Sequence, residues 1–167
     1  MREIGIPHPR LPLPEPGQRD DAQAFLAWLS DAIPMVEHLG IREMRWEGEQ
    51  LVWALALAPN LNDKGTGFGG GLTAQSTLLG WCWTTLWLRE HGLARDVVVA
   101  EATQRFLAPV IGDYRMTCAP ESPKGPDSLA AQLQSRGRGR ISLVQQLWCG
   151  DTLCLEAHGN YAVLSAA

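Results

Sequence analysis

The feature that most restricts the fold of this chain is an apolar segment, Leu72 to Leu88, that directly follows a run of glycines. On a helix, its apolar side chains would lie on nearly all sides, which indicates a helix buried on most faces. Its longest apolar run, residues 78–88, is interrupted by glycine and threonine and is far shorter than the roughly 20 residues that cross a membrane. The segment therefore predicts a core helix, from about Gly70 to His91, that other elements must surround.

Alternating apolar residues on both sides of this helix predict β-strands. With a first helix capped by Asp20 or Asp21 and running to about His38, the element order is α-ββ-α-ββ-(α)-ββ. Six strands with short connections favour an antiparallel sheet, and such a sheet can wrap around one apolar helix. The predicted fold class is therefore α+β. The predicted strands are two paired strands within 41–57, then Val97 to Leu107, Tyr114 to Ala119, Ile141 to Trp148 and Thr152 to Leu164.

The N-terminal segment is rich in proline, with five prolines in its first 17 residues. Because proline fixes φ and removes a backbone donor, residues 1–18 are predicted to form an extended arm that can lie on a partner subunit. Residues 19–167 contain no second linker and no repeat, and a chain of 167 residues fits one domain. We therefore expect one domain preceded by an arm.

Charge and cysteine usage restrict the partners and the compartment. The net charge of −4 and the pI near 5.5 argue against nucleic acid and anionic membranes as partners. The four cysteines match no metal-binding spacing and follow no signal peptide, so we expect reduced thiols in a cytoplasmic protein. The four histidines are scattered and suggest neither a metal site nor a catalytic triad, and no cofactor is expected.

Two motifs flank the predicted central helix: residues 62–70 (NDKGTGFGG) and residues 104–113 (QRFLAPVIGD). Together with that helix they resemble the hotdog-fold thioesterases, and more narrowly the family typified by the C-terminal domain of YiiD, from about Ala32 to Leu164. The resemblance implies a hotdog fold for residues 19–167. It also implies a homodimer or a dimer of dimers, with sites for acyl thioesters of CoA or acyl carrier protein at the subunit interface.

The glycines at the start of the central helix are candidates for binding a developing oxyanion. Free N–H groups at a helix N-terminus lie at the positive end of its dipole, so Gly69 and Gly70 can hold a carbonyl oxygen. The alternative is that these glycines only form a tight turn and let the helix pack closely.

The loop departs from a related pattern at two positions. In the phenylacetate-type hotdog thioesterases the loop reads NxxGTxHGG, and an Asp or Glu nine residues after the His acts as base or nucleophile. Here Phe68 replaces the His and Thr77 replaces the carboxylate. Asp63 is the nearest carboxylate and the candidate base, unless it only caps a turn. Asn62 is a candidate to orient water or the thioester carbonyl.

The first turns of the helix supply further candidates. Thr73 and Thr77 lie on a stripe of small residues and could bind water, although a helical threonine is more often satisfied by its own backbone. Gln75 could point into the site. The candidate substrate contacts on this segment are Phe68, Thr73 and Gln75.

Two cationic positions could bind the phosphates of the carrier. Lys64 either contacts a phosphate or balances the charge of Asp63. Arg138, in the segment Arg136 to Arg140 where arginine alternates with glycine, could hold phosphate groups of coenzyme A or phosphopantetheine. A solubilising surface loop is the alternative for that segment.

The chain contains seven tryptophans. Large rigid rings suit a core wrapped by a sheet and could line an acyl tunnel. Three are expected on the central helix and four on elements that pack around it: Trp81, Trp83 and Trp87, and Trp28, Trp46, Trp53 and Trp148.

The function expected from these observations is hydrolysis of an acyl thioester, with water attacking a carbonyl held by Gly69 and Gly70. The missing His and carboxylate favour a second hypothesis, a non-catalytic module that binds acyl thioesters or CoA. A hydratase ranks last, because no Asp and His pair has suitable spacing.

Overall fold

The computed structural model describes residues 2–167 and contains three α-helices and six strands, which confirms the α+β class and the predicted element order. No helix in this range is both long and apolar enough to span a membrane. The helices are α1 (Ala22–Ala32), α2 (Gly69–Glu90) and α3 (Gly125–Arg136). The strands are β1 (Ile41–Glu47), β2 (Gln50–Leu55), β3 (Val97–Phe106), β4 (Tyr114–Pro120), β5 (Gly139–Cys149) and β6 (Thr152–Val163).

The strands form one antiparallel sheet in the order β1-β2-β4-β5-β6-β3. Helix α2 packs against β3, β4, β5 and β6, so the sheet surrounds it as the apolar pattern predicts. Strand β3 follows α2 in the chain and pairs only with β6, which leaves its other edge open in the described chain. This arrangement places the first turn of α2 beside the C-terminal end of an edge strand.

The first helix is shorter than the sequence pattern predicts. Asp21 caps it, with Oδ1 accepting a hydrogen bond from the Ala24 N–H at 2.8 Å, but α1 ends at Ala32 and not at His38. Pro34 starts a separate 3₁₀ turn, Pro34–His38. Proline cannot continue the helical hydrogen bonding and also keeps the preceding residue extended, which explains the break.

A glycine on α2 allows the helix to approach the sheet closely. The Tyr161 hydroxyl donates to the Thr77 carbonyl at 2.7 Å and lies beside Gly80, and the Gln145 side-chain amide lies on the same side. Tyr161 and Gln145 are buried, so neither can move into solvent. A side chain at position 80 would therefore collide with this buried polar contact.

We expect Gly80→Ala to lower the free energy of unfolding by about 2 kcal/mol, because overpacking outweighs the gain of about 1 kcal/mol in helix propensity. Urea unfolding measures the change. Gly112→Ala is the matched control, since a Cβ there meets only the Cys149 sulfur at 3.8 Å. An unchanged stability for Gly80→Ala would contradict the close approach.

The proline-rich arm packs on its own chain. The Trp28 indole N–H donates to the Pro9 carbonyl at 2.9 Å. The Arg89 guanidinium of α2 donates to the carbonyls of Leu11 at 2.8 Å and Pro12 at 2.6 Å. The carbonyls of an extended arm have no hydrogen-bond partners within the arm, and the Trp28 and Arg89 side chains donate to them instead.

Six of the seven tryptophans pack as expected. Trp53 and Trp83 are buried, and four others lie half-buried against the core. Trp148 is the exception. It lies opposite Arg115 on the outer face of the sheet, because side chains alternate along β5 and Leu147 takes the inner position. All four cysteines are free thiols.

Candidate active site

The loop before α2 is organised by the side chain of Asn62. Its Oδ1 accepts hydrogen bonds from the backbone N–H groups of Lys64 at 2.9 Å and Thr66 at 3.0 Å. Its Nδ2 donates to Thr66 Oγ1 at 2.9 Å. The Asn62 amide is therefore occupied within its own loop, and in this chain it holds the loop shape without reaching beyond it.

A second asparagine anchors the loop to the core and was not singled out by sequence reasoning. The side-chain amide of buried Asn60 donates to the carbonyls of Leu39 at 2.8 Å and Ala56 at 3.1 Å. The backbone carbonyl of Asn60 accepts a hydrogen bond from the Phe68 N–H at 2.7 Å. An asparagine two residues before Asn62 was visible in the sequence, but only the fold shows what it ties together.

The two sequence motifs meet at this loop. The Gly67 N–H donates to the carbonyl of buried Val110 at 2.9 Å, and a Cβ on Gly67 would lie only 2.9 Å from the Val110 side chain. Asp113, which ends the second motif, accepts the Leu57 N–H at 2.9 Å and pairs with Arg42 at 2.7 Å. These hydrogen bonds lower the pKa of Asp113. The second motif therefore braces the glycine loop.

Helix α2 begins at Gly69 with Phe68 as its N-cap, and no side chain caps it. Its first backbone bond runs from the Leu72 N–H to the Phe68 carbonyl at 3.0 Å. The N–H groups of Gly69 and Gly70 come before that bond and find no acceptor within residues 2–167. They form two free donors at the positive end of a 22-residue helix.

An apolar rim surrounds these donors. Phe68 and Phe106 are each 55% exposed, and Leu107 is also exposed. The Phe106 ring lies 3.5 Å from the position that a Cβ on Gly69 would occupy. Exposed aromatic rings beside free backbone donors are suited to an apolar ligand with one polar oxygen.

A polar pair between α2 and β3 lies about two helical turns from this end. The Gln104 side-chain amide of β3 is 3.5 Å from Thr77 Oγ1. Gln104 belongs to the second motif, but its position in the sequence did not single it out as a site residue. Alternation predicts Val97, Val99 and Glu101 on one face. A bulge between Val99 and Glu101 breaks this alternation, so exposed Glu101 does not share a face with buried Val97.

Another candidate on α2, Gln75, has its side chain committed to protein partners. Gln75 is fully buried, where its amide donates to the Leu39 carbonyl at 3.0 Å and accepts from the Tyr114 hydroxyl at 2.7 Å. Burial raises the pKa of Tyr114 to about 12. Thr73 is half-buried, and its backbone carbonyl accepts the Ser76 hydroxyl at 3.0 Å. Gln75 therefore supports packing and does not face the loop.

The charged candidates are exposed. Asp63 and Lys64 pair with each other at 3.0 Å on the outside of the loop. Arg138 lines a cavity of about 430 Å³ together with Arg136 and Arg140. This cavity lies where β3 begins, and the ten residues of β3 span about 30 Å, so within one chain Arg138 is far from Gly69.

An antiparallel six-stranded sheet wrapped around one central helix is the architecture of the hotdog-fold thioesterases. A family model described as "Putative thioesterase (yiiD_Cterm)" matches residues 22–165, and the chain belongs to this family. The resemblance noted in the sequence is thereby confirmed.

Solved structures agree with this assignment. A protein of unknown function from Chlorobaculum tepidum is 27% identical with a TM-score of 0.78, covering 86% of this chain and 94% of its own. A putative thioesterase from Shewanella oneidensis is 26% identical with a TM-score of 0.76, covering 86% and 96%. A thioesterase from Haemophilus influenzae, 18% identical with a TM-score of 0.70, covers 89% and 94% and shares the fold.

Proposed function

We propose that this protein hydrolyses acyl thioesters of CoA or acyl carrier protein. The observation that carries the proposal is the uncapped N-terminus of α2, where Gly69 and Gly70 present free N–H groups inside an apolar rim. Hydrolysis passes through a tetrahedral intermediate whose oxygen becomes negative, and preorganised backbone donors stabilise that charge. The rim holds the acyl group, and the two N–H groups donate hydrogen bonds to its carbonyl oxygen.

The reaction needs water, a proton acceptor and a leaving group. Water attacks the thioester carbonyl carbon, the C–S bond breaks, and the released thiolate takes up a proton. We propose Asp63 as the acceptor of the water proton, because it is the carboxylate on the loop itself and its ion-pair partner within residues 2–167 is the equally exposed Lys64. Asn62 serves as a positioning residue that holds the loop.

The open edge of β3 supports a homodimer. Val98 and Val99 on this strand are exposed, and unpaired strand edges are usually covered in native proteins. Antiparallel pairing of two β3 edges would bring the Val97 end of one copy to the Phe106 end of the other. The arginine cavity of one copy would then lie near the Gly69 end of the other, which would let Arg138 contact carrier phosphates.

The proposal is tested by measuring thiol release from a panel of acyl-CoA and acyl-phosphopantetheine thioesters. We expect turnover of at least one acyl chain. If no thioester in the panel is hydrolysed, the hydrolase assignment is wrong. Saturable binding of acyl-CoA without turnover would select the second candidate function, a non-catalytic binding module. Phe68 and Thr77 favour this alternative, because they replace the His and the carboxylate of the related pattern.

The arginine cavity makes a separate prediction. We expect Arg138→Gln to raise KM for acyl-CoA about tenfold with little change in kcat, because a hydrogen bond to a charged group contributes about 1.5–3 kcal/mol. An acyl-pantetheine substrate without phosphates should be unaffected. Arg115→Gln, on the outer face of the sheet, is the matched control. Equal KM increases for both substrates would contradict a phosphate contact.

A further inference from the structure

The ring of Phe68 lies in the space that glycine leaves at position 70. A Cβ on Gly70 would be 2.6 Å from the ring Cζ atom and 2.8 Å from Cε2, so any larger residue there would have to displace the ring. A Cβ on Gly71 would also contact the ring, at 3.6 Å from Cδ2. The Phe68 ring is therefore folded forward onto the first turn of α2.

The backbone of Phe68 is held on both sides, which limits its ring to side-chain rotation. The Phe68 N–H donates to the Asn60 carbonyl at 2.7 Å, and the Phe68 carbonyl accepts from the Leu72 N–H at 3.0 Å. Phe68 is also the N-cap residue, a position where Ser, Thr, Asn or Asp would accept a hydrogen bond from the first turn. A phenyl ring has no oxygen that accepts such a bond, so Phe68 covers the helix start without using its donors.

Two rings therefore lie beside the two free donors. The nitrogen of a residue is about 2.5 Å from its own Cβ, which places the Phe68 ring within about 5 Å of the Gly70 nitrogen. By the same geometry, the Phe106 ring lies within about 6 Å of the Gly69 nitrogen. Consecutive helical residues point about 100° apart, so the two rings flank the helix start on different sides.

An oxygen bound by these donors brings the rest of the acyl group between the rings. The oxygen would lie about 2.9 Å from a donor nitrogen, and the carbonyl carbon and its neighbour follow within two further bonds. Carbon atoms in contact are about 3.5–4.0 Å apart, so rings this close leave room for a CH₂ group next to the carbonyl but not for an added methyl group. Phe68 and Phe106 are each 55% exposed, and this surface is free to make the contact.

We propose that Phe68 determines the substrate class of this site: acyl groups whose carbon next to the carbonyl is unbranched. An acyl group with a methyl branch on that carbon meets the Phe68 ring and is rejected. Gly70 belongs to the same arrangement, because its missing side chain lets the ring keep its place. This inference rests on the proposed binding of the thioester carbonyl at Gly69 and Gly70.

Hydrolysis of matched substrates measures this selectivity. The substrates are straight-chain acyl-CoA thioesters from butanoyl to dodecanoyl and both enantiomers of their 2-methyl derivatives. We expect kcat/KM for the best straight-chain thioester to exceed that of its 2-methyl derivatives at least about tenfold, the low end of what one methylene group contributes in a tight pocket. Equal values in an active enzyme would overturn the inference and leave the hydrolase assignment intact.

Three variants locate the selectivity at the Phe68 ring. Phe68→Ala should lower the preference about tenfold, to near unity, because the contact that discriminates is deleted. Gly70→Ala keeps its N–H group but displaces the ring, so it should lower the preference equally, and the double variant should lower it no further. Gly125→Ala, at the first residue of α3, has only ordinary contacts of 3.5–3.6 Å and is the matched control. An undiminished preference in Phe68→Ala would overturn the inference.

Ketone analogues of the same acyl-CoA thioesters, with CH₂ in place of sulfur, separate this inference from the hydrolase. They keep the carbonyl oxygen and cannot release a thiol, so calorimetric titration measures binding alone. We expect the straight-chain ketone to bind at least about tenfold more tightly than the 2-methyl ketones. That preference in a protein without turnover would contradict the hydrolase and support the role of Phe68. Equal binding of the ketones, or none, in such a protein would overturn the inference as well.

Discussion

Gly69→Pro is expected to reduce kcat for thioester hydrolysis by about 10²–10³-fold, the loss seen when one oxyanion donor is removed. Proline deletes the N–H group that we propose as a donor. The backbone tolerates the change, because Gly69 is the first residue of α2 and proline is favoured there. Phe68 before it is already extended, with φ −74° and ψ 116°, as a residue preceding proline requires.

Gly69→Ala is the matched control for this experiment. It keeps the N–H group, and its Cβ meets the Phe106 ring at 3.5 Å, an ordinary contact. We therefore expect near wild-type kcat for alanine and a large loss for proline, with thermal unfolding of both near that of the wild type. Equal losses in the two variants would indicate a steric effect at Phe106. Full activity of Gly69→Pro would exclude the Gly69 N–H as an oxyanion donor.

Arg89→Leu is expected to lower the free energy of unfolding by about 3–5 kcal/mol, because it leaves a buried carboxylate without its partner. Arg89 and Asp20 are only 7% and 6% exposed, and Arg89 bonds both Asp20 oxygens, at 2.8 Å and 2.9 Å. The same guanidinium holds the arm through the carbonyls of Leu11 and Pro12. Urea unfolding followed by tryptophan fluorescence measures the loss.

Two comparisons distinguish this buried pair from surface charge effects. Arg19→Leu breaks the more exposed pair of Arg19 with Glu90 at 3.4 Å and should change stability by less than about 1 kcal/mol. The double change Asp20→Leu with Arg89→Leu should recover much of the loss, since no buried charge remains. A loss for Arg89→Leu no larger than that for Arg19→Leu would show that the pair is not effectively buried.

Local patterns in the sequence predicted the element order well, and they failed where a single local feature changed the pattern. Pro34 ended the first helix early although the apolar spacing continued. The bulge between Val99 and Glu101 broke the alternation along β3, so Glu101 does not share a face with Val97. In each case one backbone interruption outweighed a periodic signal.

The sequence alone determined the buried helix, the α+β class and the run of glycines at the helix start, because hydrophobic periodicity and local turn chemistry act over a few residues. Tertiary structure decided which side chains meet. It buried Gln75 against Tyr114, placed Arg138 at the far end of β3 from Gly69, and folded the arm onto α2 to form a cleft. These contacts depend on strand register and chain closure between distant residues, which local patterns do not encode.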